Sequence, residues 1–519
     1  VRADGGPDDA PDDRDLRVIR ICDHGGVTDR LASLDASFLY MEDATTPMHV
    51  GTVLVFEPAH GSAGSDGQGG LDYDEIVGII AERITTSPRY RQVIRHVPGR
   101  IAAPVWVDDR RFDITYHVRR AALPKPGDIN QLGEFVARVQ SRMLDRSRPL
   151  WEVYLVEGLE GGRFAIITKA HHALVDGVNA IDIADLIVEE HARTVSDTTR
   201  LWRARPAPSD ASLVVGALID GVRRPGTAVD AVRGGLDEIR SALAHVGRGL
   251  GDMGSALMRA SASPAPPSPL NRTIGEARRF VMVDTDLDDY RTVRARLPKG
   301  NFAEDVTTHD VILAVVTGAL RIWMLTRGEP VRSGTTVRAL VPMSIDDEDD
   351  SSAGRTAAAG RAGGRIDACI IDLPVGEPSA SMRLHQIAFA MRQQFEGGRA
   401  VAAHRLSGVA GFASPTVHSL AARAGSAMSR RFFNVSITNV PGPQEARYVG
   451  GAEMVRAYPV MPLAKGQALA IGLVSYRGTV CYGLNADRDS MKDLAVIGQA
   501  IPDALEELLA AHSTTRRKA

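Results

Sequence analysis

The run Ala170-His171-His172-Ala173-Leu174-Val175-Asp176-Gly177 gathers residue types suited to proton transfer. Histidine, with an unperturbed pKa of about 6.5, is the natural general base near neutral pH. Side chains alternate along a strand, so two adjacent histidines at a strand end cannot both point the same way. One can face a cavity while the other supports it. Asp176 stands where the next helix begins, a position from which a carboxylate caps exposed N–H groups or holds an arginine. Gly177 allows a tight turn or a close backbone approach. An imidazole poised on a bound hydroxyl needs no serine nucleophile. It activates the acceptor directly for attack on an activated acyl group, and the oxyanion takes its donors from elsewhere. Two plainer readings stand beside this one. A histidine pair is most often structural, and His-x3-Asp with no further His or Cys nearby is thin coordination, so no metal is expected.

The flanking sequence supplies elements to position these residues. Residues 164–169 (FAIITK) read as a strand, and 178–191 as a helix. Trp151–Val156 reads as a neighbouring strand, and Met48–Phe56 as an earlier one. Helical spacing marks Leu71–Thr85 and 128–146, the latter with Leu132, Phe135, Val136, Val139 and Met143 on one side. Residues 212–260 are helical in tendency and amphipathic, and 263–269 (SPAPPSP) break structure. Beyond the break, strands are expected at 279–283, 335–342, 366–373, 433–438 and 469–476, with helices at 306–325 and 494–510. The Gly/Ser-rich 61–70 and the acidic, then small-residue 346–364 read as loops.

With 519 residues the chain is too long for one core. The expected division is a disordered acidic tail 1–28, an N-terminal domain 29–205, an amphipathic crossover and linker 206–269, a C-terminal domain 270–512 and a basic tail 513–519. Hydrophobic and charged fractions of 44% and 24% are those of a globular protein. The net charge of −3 provides no global field for nucleic acid. Three distant cysteines form neither a disulfide framework nor a zinc pair, which fits a reducing compartment. No uninterrupted apolar stretch of about 18 residues occurs, and Val311–Leu320 reads as a buried helix. The acidic N-terminal stretch is the reverse of a secretory signal, so a cytoplasmic location is expected. A GxGxxG match at 249–254 lacks a preceding strand and is set aside. The sequons at Asn271 and Asn434 are read as coincidental, and Asp346–Asp350 as a solvated loop.

HHxxxDG is the signature of acyltransferases with the chloramphenicol acetyltransferase-like fold, and further blocks narrow the resemblance. The chain resembles the bacterial wax ester synthase/diacylglycerol acyltransferases through Leu34-Asp35-Ala36-Ser37-Phe38-Leu39-Tyr40, Thr46-Pro47-Met48-His49-Val50-Gly51, Pro149-Leu150-Trp151 and Asn439-Val440-Pro441-Gly442-Pro443. These blocks occur in order over roughly residues 30–510. The resemblance implies an α/β fold class: two chloramphenicol acetyltransferase-like domains in one chain, with the active-site channel between them. It implies transfer of a long-chain acyl group from acyl-CoA to diacylglycerol or a fatty alcohol, with diacylglycerol preferred. His172 would be the general base, His171 a neighbour shaping the site, and Asp176 structural. Gly177, Pro149, Leu150, Trp151, Thr438 and Asn439 are carried over as substrate-binding candidates, although Trp151 also reads as core packing. Acyl-CoA is a co-substrate and no cofactor is expected.

The C-terminal half departs from the family pattern. Its usual Asn-Asp pair reads His309-Asp310, and Thr438 replaces a Ser. The basic residue usual after Val341-Pro342-Met343-Ser344 is missing, and Gly364-Arg365 stands for a Gly-Asn pair. Two alternatives remain open: another hydroxyl acceptor on the same fold, or a catalytically weak acyl-CoA- or lipid-binding protein. The amphipathic middle segment reads first as a crossover helix packed on the domains, and its arginines are also compatible with peripheral contact at the membrane's inner face or a lipid droplet.

Overall fold

A computed structural model of the chain describes residues 29–58, 73–175, 183–190, 204–223, 264–297, 306–345, 365–396, 401–402, 429 and 431–513. The first helix, α1 (Ser33–Met41), leads into β1 (His49–Glu57). Helix α2 (Tyr73–Arg83) is followed by a two-stranded sheet of β2 (Gln92–Arg95) and β3 (Val105–Asp108). Next come α3 (Ile114–His117), β4 (Val118–Ala122), α4 (Ile129–Ser141), β5 (Trp151–Glu157) and β6 (Phe164–His171). Helix α5 (His172–Val175) starts where β6 stops, and α6 (Ile183–Ile187) and α7 (Asp210–Arg223) complete this part.

The second part opens with β7 (Arg278–Asp286), α8 (Leu287–Ala295) and α9 (Thr308–Thr326). Strands β8 (Val337–Ile345) and β9 (Arg365–Leu373) precede α10 (Ala380–Glu396) and β10 (Val401–Ala402). Then follow β11 (Val435–Pro441), β12 (Tyr448–Val449), β13 (Ala452–Val460), β14 (Leu469–Tyr476), β15 (Thr479–Asp487) and α11 (Leu494–Ser513).

Two mixed sheets result. One runs β12-β13-β1-β6-β5-β4, the other β10-β9-β8-β11-β14-β15-β7. Sheet membership departs from the division expected at the Pro-rich stretch. β12 and β13 lie late in the chain yet join the first sheet, where β13 pairs antiparallel with β1 from Gly51↔Val460 to Glu57↔Glu453. Without that crossing, β1 would offer an unpaired edge.

Strand β6 is central and buried along its whole length. Its side chains alternate, as a strand requires. Phe164, Ile166 and Ala170 enter the N-terminal core, whereas Ala165 and Ile167 enter a second cluster with Leu132 and Val136 of α4. That second cluster also takes Phe280, Tyr458 and Cys481, so apolar packing joins the two parts. Helix α4 lies directly on β7: a Cβ at Gly133 would sit 2.6 Å from the Phe280 carbonyl oxygen. Polar contacts add to the junction. Arg278 donates from its backbone N–H to Ser141 Oγ at 3.1 Å and from its guanidinium to the Thr45 carbonyl, and Lys465 Nζ lies 2.9 Å from Asp43 Oδ2.

Several expected elements are found with shifted ends. The helix expected over 128–146 stops at Ser141, and Met143 is exposed rather than on a buried face. The reason lies in Lys169, a fully buried lysine on β6. Its Nζ donates to the carbonyls of Val139 (2.9 Å) and Arg142 (2.5 Å), alongside the Arg142 N–H that closes on the Val139 carbonyl at 3.3 Å. Of the helix expected over 178–191, the described part is α6 alone, and Glu189 beyond it bridges to Tyr448. Helix α9 is long and apolar enough to cross a membrane by length and composition, but 72% of that window is buried in the C-terminal core. Asn434, of one sequon, is fully buried and bonds to Asn271 of the other at 2.5 Å. The tails 1–28 and 514–519, the loops 61–70 and 346–364, the GxGxxG match and most of the amphipathic segment (224–263) lie outside the described residues.

Candidate active site

The two histidines diverge at the junction of β6 and α5. His171 is the last residue of the strand and is 0% exposed. His172 opens the short helix and is partly exposed. The PLW block fixes this strand end through its backbone: the His171 N–H donates to the Leu150 carbonyl at 2.9 Å. On the other side, the His172 N–H donates to the Met48 carbonyl at 2.8 Å. The His172 ring stacks on Phe38 of α1, with centroids 4.3 Å apart and planes 18° from parallel.

Strand β1 brings a third histidine alongside. His49 pairs with His171 in the antiparallel register. The ladder is interrupted next to this pair, where Thr168 Oγ1 accepts from the Thr52 N–H at 2.9 Å. Gly51 makes the approach possible, since a Cβ there would fall 2.1 Å from the Thr168 carbonyl oxygen. Below both rings lies Glu42, its side chain 2% exposed. Glu42 Oε1 is 3.3 Å from His49 Nε2 and accepts from the Met48 N–H at 3.2 Å. Glu42 Oε2 is 3.5 Å from His171 Nε2 and accepts from Arg146 Nε at 3.1 Å and Nη2 at 2.5 Å.

Protonation follows from these surroundings. Burial alone would push the Glu42 carboxyl up, but contacts to His171 and His49 outweigh it and hold the group well below the usual carboxylate range. Burial pushes His49 down to about 4 and lowers His171 as well, against the opposing pull of Glu42. The cluster is therefore an ionised carboxylate between two neutral imidazoles. Lys169 lies on the same face of β6, and burial pushes it down to about 8 despite Glu152 nearby.

The C-terminal half contributes a separate polar pair. Asn439, near the end of β11, places Nδ2 2.9 Å from His309 Nδ1 in the first turn of α9. His309 Nε2 is buried with no hydrogen-bond partner among the described residues. Burial lowers the His309 pKa. Asp310 is occupied by a capping box, accepting from the Thr307 N–H at 2.8 Å while the Thr307 hydroxyl accepts from the Asp310 N–H at 3.2 Å. The residue at 309 is thus an imidazole that spans to Asn439. Thr438 is partly buried, next to Asn439 on β11.

Other candidates take different places. Trp151 is 0% exposed, donates from Nε1 to the Tyr90 carbonyl at 2.7 Å and stacks on His117 with centroids 4.5 Å apart. Pro149 and Leu150 are also buried. All three substrate-contact candidates of this block are therefore buried, and Leu150 holds the His171 backbone through its carbonyl. Asp176 and Gly177 lie outside the described residues. Sequence reasoning assigned no role to Phe38, Glu42, His49 or Arg146. Phe38 and His49 lie inside the two opening blocks, so position within those blocks was the available signal. Glu42 and Arg146 carried none.

Comparison with known proteins bears on this arrangement. Residues 31–308 match the wax ester synthase/diacylglycerol acyltransferase catalytic domain, and residues 362–509 the C-terminal domain of the same proteins. The chain is 43% identical over 270 residues to the probable diacylglycerol O-acyltransferase tgs3 of Mycobacterium tuberculosis, covering 51% of this chain and 96% of that protein. It is 32% identical over 503 residues to the probable diacylglycerol O-acyltransferase tgs2 of the same organism, covering 91% of this chain and 97% of that protein. Among solved structures, it is similar to the wax ester synthase/diacylglycerol acyltransferase from Marinobacter aquaeolei, with a TM-score of 0.62 and 26% identity over 93% of this chain and 100% of that one. The trichothecene 15-O-acetyltransferase from Fusarium sporotrichioides shares the fold alone, with a TM-score of 0.54 and 10% identity over 93% of this chain and 94% of that one.

Proposed function

Because the chain belongs to the wax ester synthase/diacylglycerol acyltransferase family and is an acyltransferase of the chloramphenicol acetyltransferase-like fold, we propose that His172 is its general base and that diacylglycerol is its preferred acceptor. The observation that carries the first part is the contrast within the HHxxxDG pair: His171 is sealed and held against Glu42, whereas His172 is partly exposed on a helix that starts at the strand end. The His172 imidazole takes the proton of the acceptor hydroxyl as its oxygen attacks the thioester carbonyl carbon of a long-chain acyl-CoA. The tetrahedral intermediate collapses to the ester, the C–S bond breaks, and the imidazolium returns the proton to the departing CoA sulfur. Thr438 and Asn439 serve as polar contacts from the C-terminal half, in a channel between the two parts. The diacylglycerol reading draws on the two mycobacterial relatives, both named for that activity.

The product also bears on location. A long-chain ester leaves for water only with difficulty, because each methylene is worth about 0.8 kcal/mol. We place the protein in the cytoplasm, peripherally attached to the membrane's inner face or to lipid droplets. Helix α7 supports that reading. It is anchored by Leu213 on Val97, Val105 and Val107, while Val215 and Ile219 stay exposed.

The test is to supply radiolabelled palmitoyl-CoA with diacylglycerol or hexadecanol and resolve the lipid products. Triacylglycerol in excess over wax ester is expected. Wax ester alone would overturn the acceptor choice, and acyl-CoA binding without any ester would move the reading to a lipid-binding protein. In vesicle flotation, Ile219→Asp is expected to reduce the floating fraction, and unchanged flotation would remove α7 from the account.

A further inference from the structure

We infer that Glu42 is a positioning residue for acyl transfer: its carboxylate fixes the tautomer of His171, and His171 in turn pins the first turn of the helix that carries His172. This rests on the reading of His172 as base. His171 Nδ1 accepts the Ala173 N–H at 3.0 Å. An imidazole nitrogen that accepts carries no proton, so in neutral His171 the proton sits on Nε2. Nε2 is the nitrogen nearest Glu42 Oε2, at 3.5 Å, an electrostatic contact rather than a hydrogen bond. An ionised carboxylate only accepts, so it favours this tautomer over the one with the proton on Nδ1. With the proton on Nδ1, the Ala173 N–H would confront another donor beside the residue that carries the base.

The surroundings of Glu42 exclude a role limited to balancing Arg146. Arg146 is 45% exposed and needs no buried partner. A carboxylate with a 2% exposed side chain is costly to bury unless its oxygens are matched by donors. Here each oxygen meets two groups: the Met48 N–H and His49 Nε2 at Oε1, Arg146 and His171 Nε2 at Oε2. His49 Nε2 accepts the Leu144 N–H at 3.4 Å, so in neutral His49 that nitrogen carries no proton, and the imidazole proton that can face the anion is that of His171. A glutamine in this place keeps the shape, but whichever way its amide turns, an NH2 faces donors at one of the two positions.

The experiment compares wild type and Glu42→Gln by steady-state kinetics and by 15N NMR of selectively labelled histidine. Misplacing a catalytic group by about 1 Å can cost about 10²-fold. Glu42→Gln is therefore expected to lower kcat by about 10²-fold with the KM for acyl-CoA unchanged. In wild type, the His171 signals should be those of the Nε2–H tautomer at neutral pH, and in the variant they should shift towards the other. Should the variant fail to fold, the wild-type spectrum decides. A wild-type kcat in Glu42→Gln, or His171 carrying its proton on Nδ1 in the wild type, overturns the inference. Failure of the base reading is seen separately, as activity retained by His172→Ala, and leaves the tautomer signal intact.

Discussion

The six-stranded sheet gathers its histidines around one buried carboxylate, whereas the seven-stranded sheet presents a single neutral polar pair. Around Glu42, two imidazoles, one guanidinium and a backbone N–H converge on two oxygens. Around Asn439, one contact to His309 Nδ1 is made; His309 Nε2, like His49 Nδ1 and His171 Nε2 in the other half, has no hydrogen-bond partner among the described residues. A buried charge met by several groups is poorly tolerant of change, because removing one partner leaves it uncompensated, whereas a lone neutral pair has less to lose. The two halves are therefore expected to respond unequally to mutation. The half that holds the base is fixed geometrically, and the half opposite is where variation of the pair at 309 and 439 is accommodated.

The largest effect is expected at Gly51, where β1 and β6 approach. Gly51→Ala places a Cβ against the Thr168 backbone and should cost more than about 3 kcal/mol, read as a fall in the urea midpoint together with loss of activity. A midpoint near wild type would show that this register is soft and break the comparison.

Acid should weaken the same half. Burial holds His49 at about 4, below the ordinary histidine value, so between about pH 6.5 and 4 the native state binds fewer protons than the unfolded chain. This contribution is fully present above about pH 6.5 and is lost as the pH falls towards 4, by on the order of 3 kcal/mol. His171, also lowered by burial, acts in the same direction. Urea denaturation over that window should show the slope, and His49→Gln should flatten it. An unchanged slope would locate the acid sensitivity elsewhere.

A smaller loss is expected from Lys169→Met, which keeps the stem and removes the ammonium from the Val139 and Arg142 carbonyls. About 2 kcal/mol should be lost from stability, with fraying at the end of α4 visible as faster hydrogen exchange. Protection equal to wild type would mean the helix end is held by something else. The smallest effect belongs to the other sheet. His309→Asn shortens the side chain facing Asn439 and should change stability by about 1 kcal/mol or less, with kcat within about threefold of wild type. A collapse of activity there would reverse the contrast between the halves.

Much of this architecture is legible in the sequence, and the gaps have physical causes. Strand β14 is bounded as its apolar run predicts, Leu469–Tyr476, because a buried run between turns leaves little ambiguity. Strand β13 was missed. Its sequence, AEMVRAYPV, carries Glu453, Arg456 and Pro459, and it gains its place only by pairing across the molecule with β1. The end of α4 was overrun because the lysine that stops it lies on a distant strand. The same separation hid Glu42 and Arg146. HHxxxDG is a local pattern and reads directly, but the carboxylate beneath it arrives through the antiparallel pairing that sets His49 beside His171. Trp151 reads from its block as a substrate-contact candidate and from its residue type as core packing, and its full burial accords with the packing reading.

The central claim is that the partly exposed member of the histidine pair takes the acceptor's proton. A single-turnover assay with purified His172→Ala, radiolabelled palmitoyl-CoA and diacylglycerol tests it most directly, with the urea midpoint measured on the same preparation. The account predicts a folded protein that still binds acyl-CoA and forms ester no faster than a reaction without enzyme. Ester formed at the wild-type rate would contradict it.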